Sequence, residues 1–168
     1  HETRAAAIMR EALGDDFPIS ISSEIGSVSL LERENATILN AALVDVAKTT
    51  SESFIAALAG EGITDAEVYL CQNDGTLMSA EYAMRYPILT SACGPTNSSR
   101  GASFLTGLKD AVVVDVGGTT TDLGVLQAGF PRESGVAVTI GGVRTNFRMP
   151  DVISIGLGGG SIVRVRDD

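Results

Sequence analysis

The stretch "DAVVVDVGGTTTDLGVLQAG", Asp110 to Gly129, decides how the rest of the chain is read. Four apolar residues, Ala111 to Val114, run into Asp115. Two glycines and three threonines follow, and Asp122 opens a second apolar segment. The unbroken run "AVVVDV" reads as a buried central strand. "TTDLGVLQAG" reads as a second strand, and Gly117 and Gly118 make the hairpin between them. Asp115 then stands near a strand end, where α/β folds place ligand-handling groups. The two glycines allow positive φ and leave no side chain between backbone and ligand. Their amides, with those of Thr119 and Thr120, can converge on one concavity and hold phosphate oxygens. The threonine hydroxyls can donate to the same oxygens. Asp115 suits Mg²⁺, which takes one or two carboxylates and keeps several waters. A second reading stays open, a plain hairpin between core strands with Asp115 capping loop amides. No Lys follows, so this is not G-x-x-x-x-G-K-[ST], and a strand rather than a helix follows, so it is not G-x-G-x-x-G.

Outward from the hairpin, the chain divides into helical and extended patterns. "ETRAAAIMREAL" is helical and closed by Gly14. "FPISISSEI" alternates as a strand does. Residues 32–59 form a long helix of about 40 Å, with an apolar stripe at Leu39, Leu43, Val46, Thr50, Phe54 and Leu58. That stripe is expected to be buried against a sheet together with Val112, Val113 and Val114. "AEVYLCQND" is a strand followed by an Asp74-Gly75 turn. "SAEYAMRY" is a short helix capped by Ser and stopped before Pro87, and "SSRGASFLTGL" is another. The tail, 136–165, reads as short strands joined by glycine turns. The order predicts an α/β fold with a mixed sheet and flanking helices, as one domain over residues 1–168. With no initiator Met and no strand leading into the first helix, it is expected to be an internal piece of a longer protein.

Composition narrows the function classes. The net charge is -9 and the isoelectric point is near 4.5, which argues against nucleic acid or an anionic membrane as partner. The histidine is His1, so no internal His serves a Ser-His or Cys-His nucleophile or a two-His metal site. The chemistry is left to carboxylates, amides, hydroxyls and Mg²⁺. Cys71 and Cys93 suit the reduced thiols of a cytoplasmic protein. No apolar run approaches the ~18 residues of a membrane span.

A phosphate hairpin between two strands resembles the phosphate loops of the actin, sugar-kinase and heat-shock-chaperone ATPases, which have ribonuclease H-like domains. Over the whole chain, "SSEIGSVSLLERENATILNAAL", "VYLCQNDGTLMSAEYAMRYPILTSACGP", "DVGGTTTDLGVL" and "ISIGLGGGSIVRV" resemble the A subunits of hydantoinases and oxoprolinases. The resemblance implies an ATP-dependent opening of a cyclic amide, a hydantoin or 5-oxoproline, with Mg²⁺, a B-type partner subunit and the remainder of a longer chain that brings an earlier phosphate hairpin. It assigns Asp115 and Asp122 to catalysis, with Asp115 at the metal. Gly117, Gly118, Thr119, Thr120 and Thr121, and the run Gly158, Gly159, Gly160 and Ser161, go to the nucleotide. It also implies that this chain alone is inactive. The alternative is an actin-fold nucleotide switch, such as an enzyme reactivator, or an assembly subunit. One departure stands out. After Gly94-Pro95 the family has small residues, whereas this chain has "TNSSRG", Thr96 to Gly101, in what is expected to be a loop of close backbone approach. Asn73-Asp74-Gly75 and Gly141-Gly142 are read as turns, and Glu32, Arg33 and Glu34 as a helix start. Three glycines in a row at 158–160 are costly to order and imply that a ligand or another backbone needs the space.

Overall fold

The computed structural model describes residues 1–26, 28–135, 137–146 and 148–165. Helix α1, Glu2–Leu13, closes on Gly14 at φ 96. Glu2 then accepts hydrogen bonds from the Ser22 hydroxyl at 2.5 Å and the Ser23 amide at 3.0 Å. That carboxylate caps the first turn of α2, Ser22–Ile25. The strand expected over 17–25 is therefore absent: its end winds into a helical turn because Glu2 supplies an acceptor there and no strand pairs with it.

Helix α3 runs Leu31–Gly60, one residue beyond the expected bounds at each end. It closes with the Gly62 amide on Ala59 O and the Ile63 amide on Leu58 O. Its period is as expected, but its buried stripe is so only in part: Leu39 lines the core and Leu58 is half-buried, whereas the middle of the stripe, Thr50 included, is exposed. The residues facing the chain are Ala36, Asn40, Val44, Ala47 and Ser51, a small and polar set, while Leu43, Val46 and Phe54 are exposed, Val46 at 64%. Small residues let the partners approach closely. Asn40 is fully buried and donates to Ser20 Oγ and Arg85 O, and its Oδ1 accepts from the Ile88 amide. Beside it, Ala36 and Ile88 form a core lined by Ile25, Leu39, Leu89, Ile140 and Met149.

β1, Tyr69–Cys71, and β2, Leu77–Ser79, form a hairpin around Asp74, which accepts from the Thr76 amide and hydroxyl. Ser79 caps α4, Ala80–Arg85. A 3₁₀ turn, Pro87–Thr90, leads to α5, Cys93–Thr106. β3, Ala111–Val116, pairs with β4, Thr121–Gln127. The other edge of β4 is shared by β5, Phe130–Pro131, and β8, Val152–Ile155. β6, Val138–Ile140, and β7, Val143–Thr145, turn at Gly141 and Gly142, both at positive φ. Val136 and Phe147 of the expected tail strands lie outside the described residues.

Every strand pairing among the described residues is antiparallel, which corrects the expected mixed sheet. β3 is an edge strand with alternating burial, not a central one. Val113 faces α5, but Val112 and Val114 are 68% and 54% exposed. Their face of the sheet, shared with Val116, Ile153 and Ile155, carries no covering layer among the described residues. The chain exposes 11144 Å², against about 7,900 Å² for a self-contained protein of its mass. No helix among the described residues is long and apolar enough to cross a membrane.

Candidate phosphate site at the β3–β4 hairpin

In the antiparallel register Asp115 stands directly opposite Asp122. Val113 opposite Gly124 and Ala111 opposite Leu126 share their face of the sheet, and that face receives α5. The helix packs within ordinary contact of Gly124: a Cβ there would lie 3.5 Å from Ser99 Oγ. Ser98, one residue back, donates its hydroxyl to Asp115 Oδ2 at 2.5 Å. Ser154 of β8, paired with Asp122 across the strands, donates to Asp122 Oδ1. Like charges directly opposite one another destabilise a sheet. Among the described residues each is relieved by one hydroxyl and neither by a cation, so the pair does not owe its place to stability.

The hairpin tip, Gly117–Thr120, is exposed. The Gly117 amide donates to Thr120 O at 2.8 Å. The amides of Gly118, Thr119 and Thr120, and the two threonine hydroxyls, donate to no acceptor among the described residues. Three successive unpartnered N–H groups beside a carboxylate pair form a donor set suited to phosphate oxygens. Neither glycine takes positive φ, which corrects the expected reason for them, and only at Gly117 does space supply another. A Cβ on Gly117 would come within 3.3 Å of Thr120 O, and Gly118 opens onto free volume. The donors and carboxylates fit one side of a Mg-phosphate group: Mg²⁺ needs no more than one or two carboxylates, and no cluster of three or more metal-ligating side chains occurs among the described residues.

The glycine run lies on this hairpin. Beyond β8, the Thr121 hydroxyl donates to Leu157 O. The Gly159 amide donates to Gly117 O at 2.9 Å and the Gly160 amide to Gly118 O at 3.1 Å. Gly158 rests against the Gly118–Thr119 peptide; a Cβ on it would fall 2.6 Å from Thr119 N and 2.7 Å from Gly118 C. The site residues predicted from two distant segments are thus brought together.

The expected loop at Thr96–Gly101 is part of α5, and its departing side chains are structural or point at the site. Thr96, fully buried, donates to Asn73 O at 3.0 Å. Arg100 donates to Gly129 O and lies 4.1 Å over the Phe130 ring. The roles of Ser98 and Ser154 escaped the reading of the sequence. Ser98 lay in the flagged hexapeptide, but only the helix shows which way it points. A cleft of about 540 Å³ lies elsewhere, lined by Glu32, Glu133, Arg144 and Arg148, where Arg144 pairs with Glu32 and Arg148 with Glu133. Cys71 and Cys93 are free thiols, and burial pushes the Cys71 thiol up.

Comparison with known proteins gives three findings. Residues 33–168 match the model of the hydantoinase/oxoprolinase family. The chain is 27% identical over 173 residues to caprolactamase subunit alpha of Pseudomonas jessenii, covering 99% of this chain and 24% of that protein. Its fold is similar to part of a nucleotide-free acetone carboxylase, solved in a study of ATP-dependent acetone carboxylation. The TM-score is 0.59 at 20% identity, over 95% of this chain and 22% of that one. The chain spans about a quarter of the length of the relatives it matches.

Proposed function

The chain belongs to the hydantoinase/oxoprolinase family, and from that premise we propose that it forms one wall of the nucleotide site of an ATP-dependent cyclic-amide hydrolase. It does so as a part of a longer A-type subunit with a ribonuclease H-like domain. The observation that carries this reading is the hairpin itself: three unpartnered amides at Gly118, Thr119 and Thr120 beside the opposed Asp115 and Asp122.

In this reading the amides and threonine hydroxyls receive phosphate oxygens, and Asp115 holds Mg²⁺ directly or through water. Asp122, on the same face, holds the water or the metal's hydration shell in orientation. Mg-ATP, when bound, supplies the free energy for opening an amide ring. What the chain contributes is fixed placement: Ser98 and Ser154 hold the two carboxylates, so little reorganisation is needed when charge develops. The substrate class follows the relative whose name marks it as acting on caprolactam, a cyclic amide, and that relative's being one subunit of several supports a B-type partner.

The test is ADP formation by the full-length protein with its partner subunit, with and without hydantoin, 5-oxoproline or caprolactam. Ring-dependent ADP release, lost in Asp115→Asn, is the expected outcome. Turnover driven by a protein partner and indifferent to every ring would replace the hydrolase with a nucleotide switch.

A further inference from the structure

We infer that Gly158–Ser161 is a latch that holds the phosphate hairpin in shape and does not itself ligate the phosphate. The inference rests on the reading of the hairpin as a phosphate site, and it changes what the glycine run is for. Its four amides are all committed. Gly159 donates to Gly117 O and Gly160 to Gly118 O. Gly158 donates to Ser161 Oγ at 3.0 Å, and Ser161 donates back to Gly158 O at 2.9 Å. A buried or paired donor gives nothing to a ligand without losing the bond it already makes. The unpaired amides lie opposite, on Gly118, Thr119 and Thr120.

The geometry explains each residue type. Gly158 must be glycine because a Cβ would sit inside van der Waals distance of three backbone atoms, Thr119 N, Gly118 C and Thr119 C. Backbone cannot swing aside as a side chain can, so the hairpin would shift. Gly160 is less confined, with a Cβ 3.3 Å from Gly118 O, a tight contact that a small shift would relieve. Ser161 closes the turn that presents Gly159 and Gly160. The latch continues the β4–β8 ladder, which ends at Thr121 opposite Ile155. It therefore couples the tip of the hairpin to the sheet that positions Asp122. A bare two-strand turn carrying three unsatisfied amides would sample many conformations; crossing it with a second backbone fixes one. Gly158, Gly159, Gly160 and Ser161 are positioning residues.

Residue-resolved amide hydrogen exchange on the full-length protein tests this, before and after adding Mg-ATP. The latch predicts that Gly159 and Gly160 exchange slowly without nucleotide and are unchanged by it, while Gly118, Thr119 and Thr120 exchange fast and slow down on binding. Gly159 and Gly160 exchanging fast alone and slowing only with Mg-ATP would make them direct ligands and overturn the latch. Variants give the second readout. Gly158→Ala is expected to lower turnover by about 10²-fold, the scale of a misplacement near 1 Å. Ser161→Ala should cost about tenfold and speed exchange at Gly159 and Gly160, and Ser161→Thr, which keeps the hydroxyl, should restore both. If Gly158→Ala does not fold, the serine pair decides: wild-type exchange and turnover in Ser161→Ala would refute the latch. If no nucleotide binds at all, the functional reading fails, and the nucleotide-free exchange rates of Gly159 and Gly160 still settle the latch.

Discussion

On the proposed function, Asp115 and Asp122 set stability against activity at the residue scale. Their direct opposition across β3 and β4 costs sheet stability, on the order of 0.2–1 kcal/mol for a cross-strand pair. Asp115→Asn should therefore raise the thermal midpoint slightly while reducing ATP turnover in the full-length protein by at least about 10²-fold, the scale of one metal or oxyanion contact. Near-normal turnover in that variant would remove Asp115 from the site. Ser98 acts one step away, through its hydroxyl on Asp115. Ser98→Ala should lower turnover about tenfold, the worth of a hydrogen bond to a charged group, and Ser98→Thr should recover most of it. Steady-state ADP assays on the two variants check this, and equal losses in both would assign Ser98 to packing alone.

Within the elements, α3 is fastened by a polar residue rather than by its leucines. Asn40→Ala removes two donated bonds and one accepted bond from a fully buried position. It should destabilise by about 1–3 kcal/mol or more, since the Ile88 amide and Arg85 carbonyl lose their partner. Leu43→Ala, at a position 37% exposed, should cost less than the ~2–5 kcal/mol of a core leucine. Denaturant midpoints of the two variants would reverse this order if the leucine stripe carried the packing. The end of α4 adds a pH signature. Tyr86 is nearly buried and donates to Glu24 at 2.6 Å; burial first, then that hydrogen bond, push its hydroxyl up to about 12. Because the folded value is raised, this stabilisation is complete below the ordinary tyrosine value near 10 and is lost as pH rises through about 12. The same bond, with Arg85, holds Glu24 below the usual carboxylate range, so its contribution disappears only as pH falls through that lowered value. Tyr86→Phe should flatten the alkaline limb of a stability–pH curve, and an unchanged limb would show that another group sets it.

As a whole molecule, the chain exposes far more surface than its mass requires, with Val112, Val114, Val116, Ile153 and Ile155 bare on one face of the sheet. Contiguous apolar area of this kind marks an interaction surface or an aggregation liability. The isolated 168-residue chain is accordingly expected to bind an apolar dye, and Val112→Thr with Val114→Thr to reduce that signal; dye fluorescence at equal concentration checks it. Nor should this chain alone hydrolyse ATP. Phosphoryl transfer needs the phosphates clamped from several sides with water excluded, whereas the hairpin tip lies open and presents one wall. A net charge of -9 adds repulsion. Calorimetric titration with Mg-ATP and a phosphate-release assay test this, and micromolar binding or steady release abolished by Asp115→Asn would show the site to be complete as it stands.

Local signals determined much of this molecule. The α3 period and its glycine stop, the Ser79 cap, the Asp74-Gly75 turn and the β3–β4 hairpin all follow from short-range chemistry, so they are legible in the residues that form them. The family was legible too, since its motifs are contiguous. Which face of α3 is buried was not, because periodicity defines a stripe but not the partner that selects Asn40 over Leu43. For the same reason four apolar residues ending at Val114 could be read as a central strand, when their place at the sheet edge depends on what pairs with β3. The glycine run posed a choice between ligand and backbone. Only the tertiary structure, which lays Gly158 on the Gly118–Thr119 peptide some 40 residues distant in sequence, brings the backbone neighbour into view, since a contact between remote segments leaves no mark in the spacing of either.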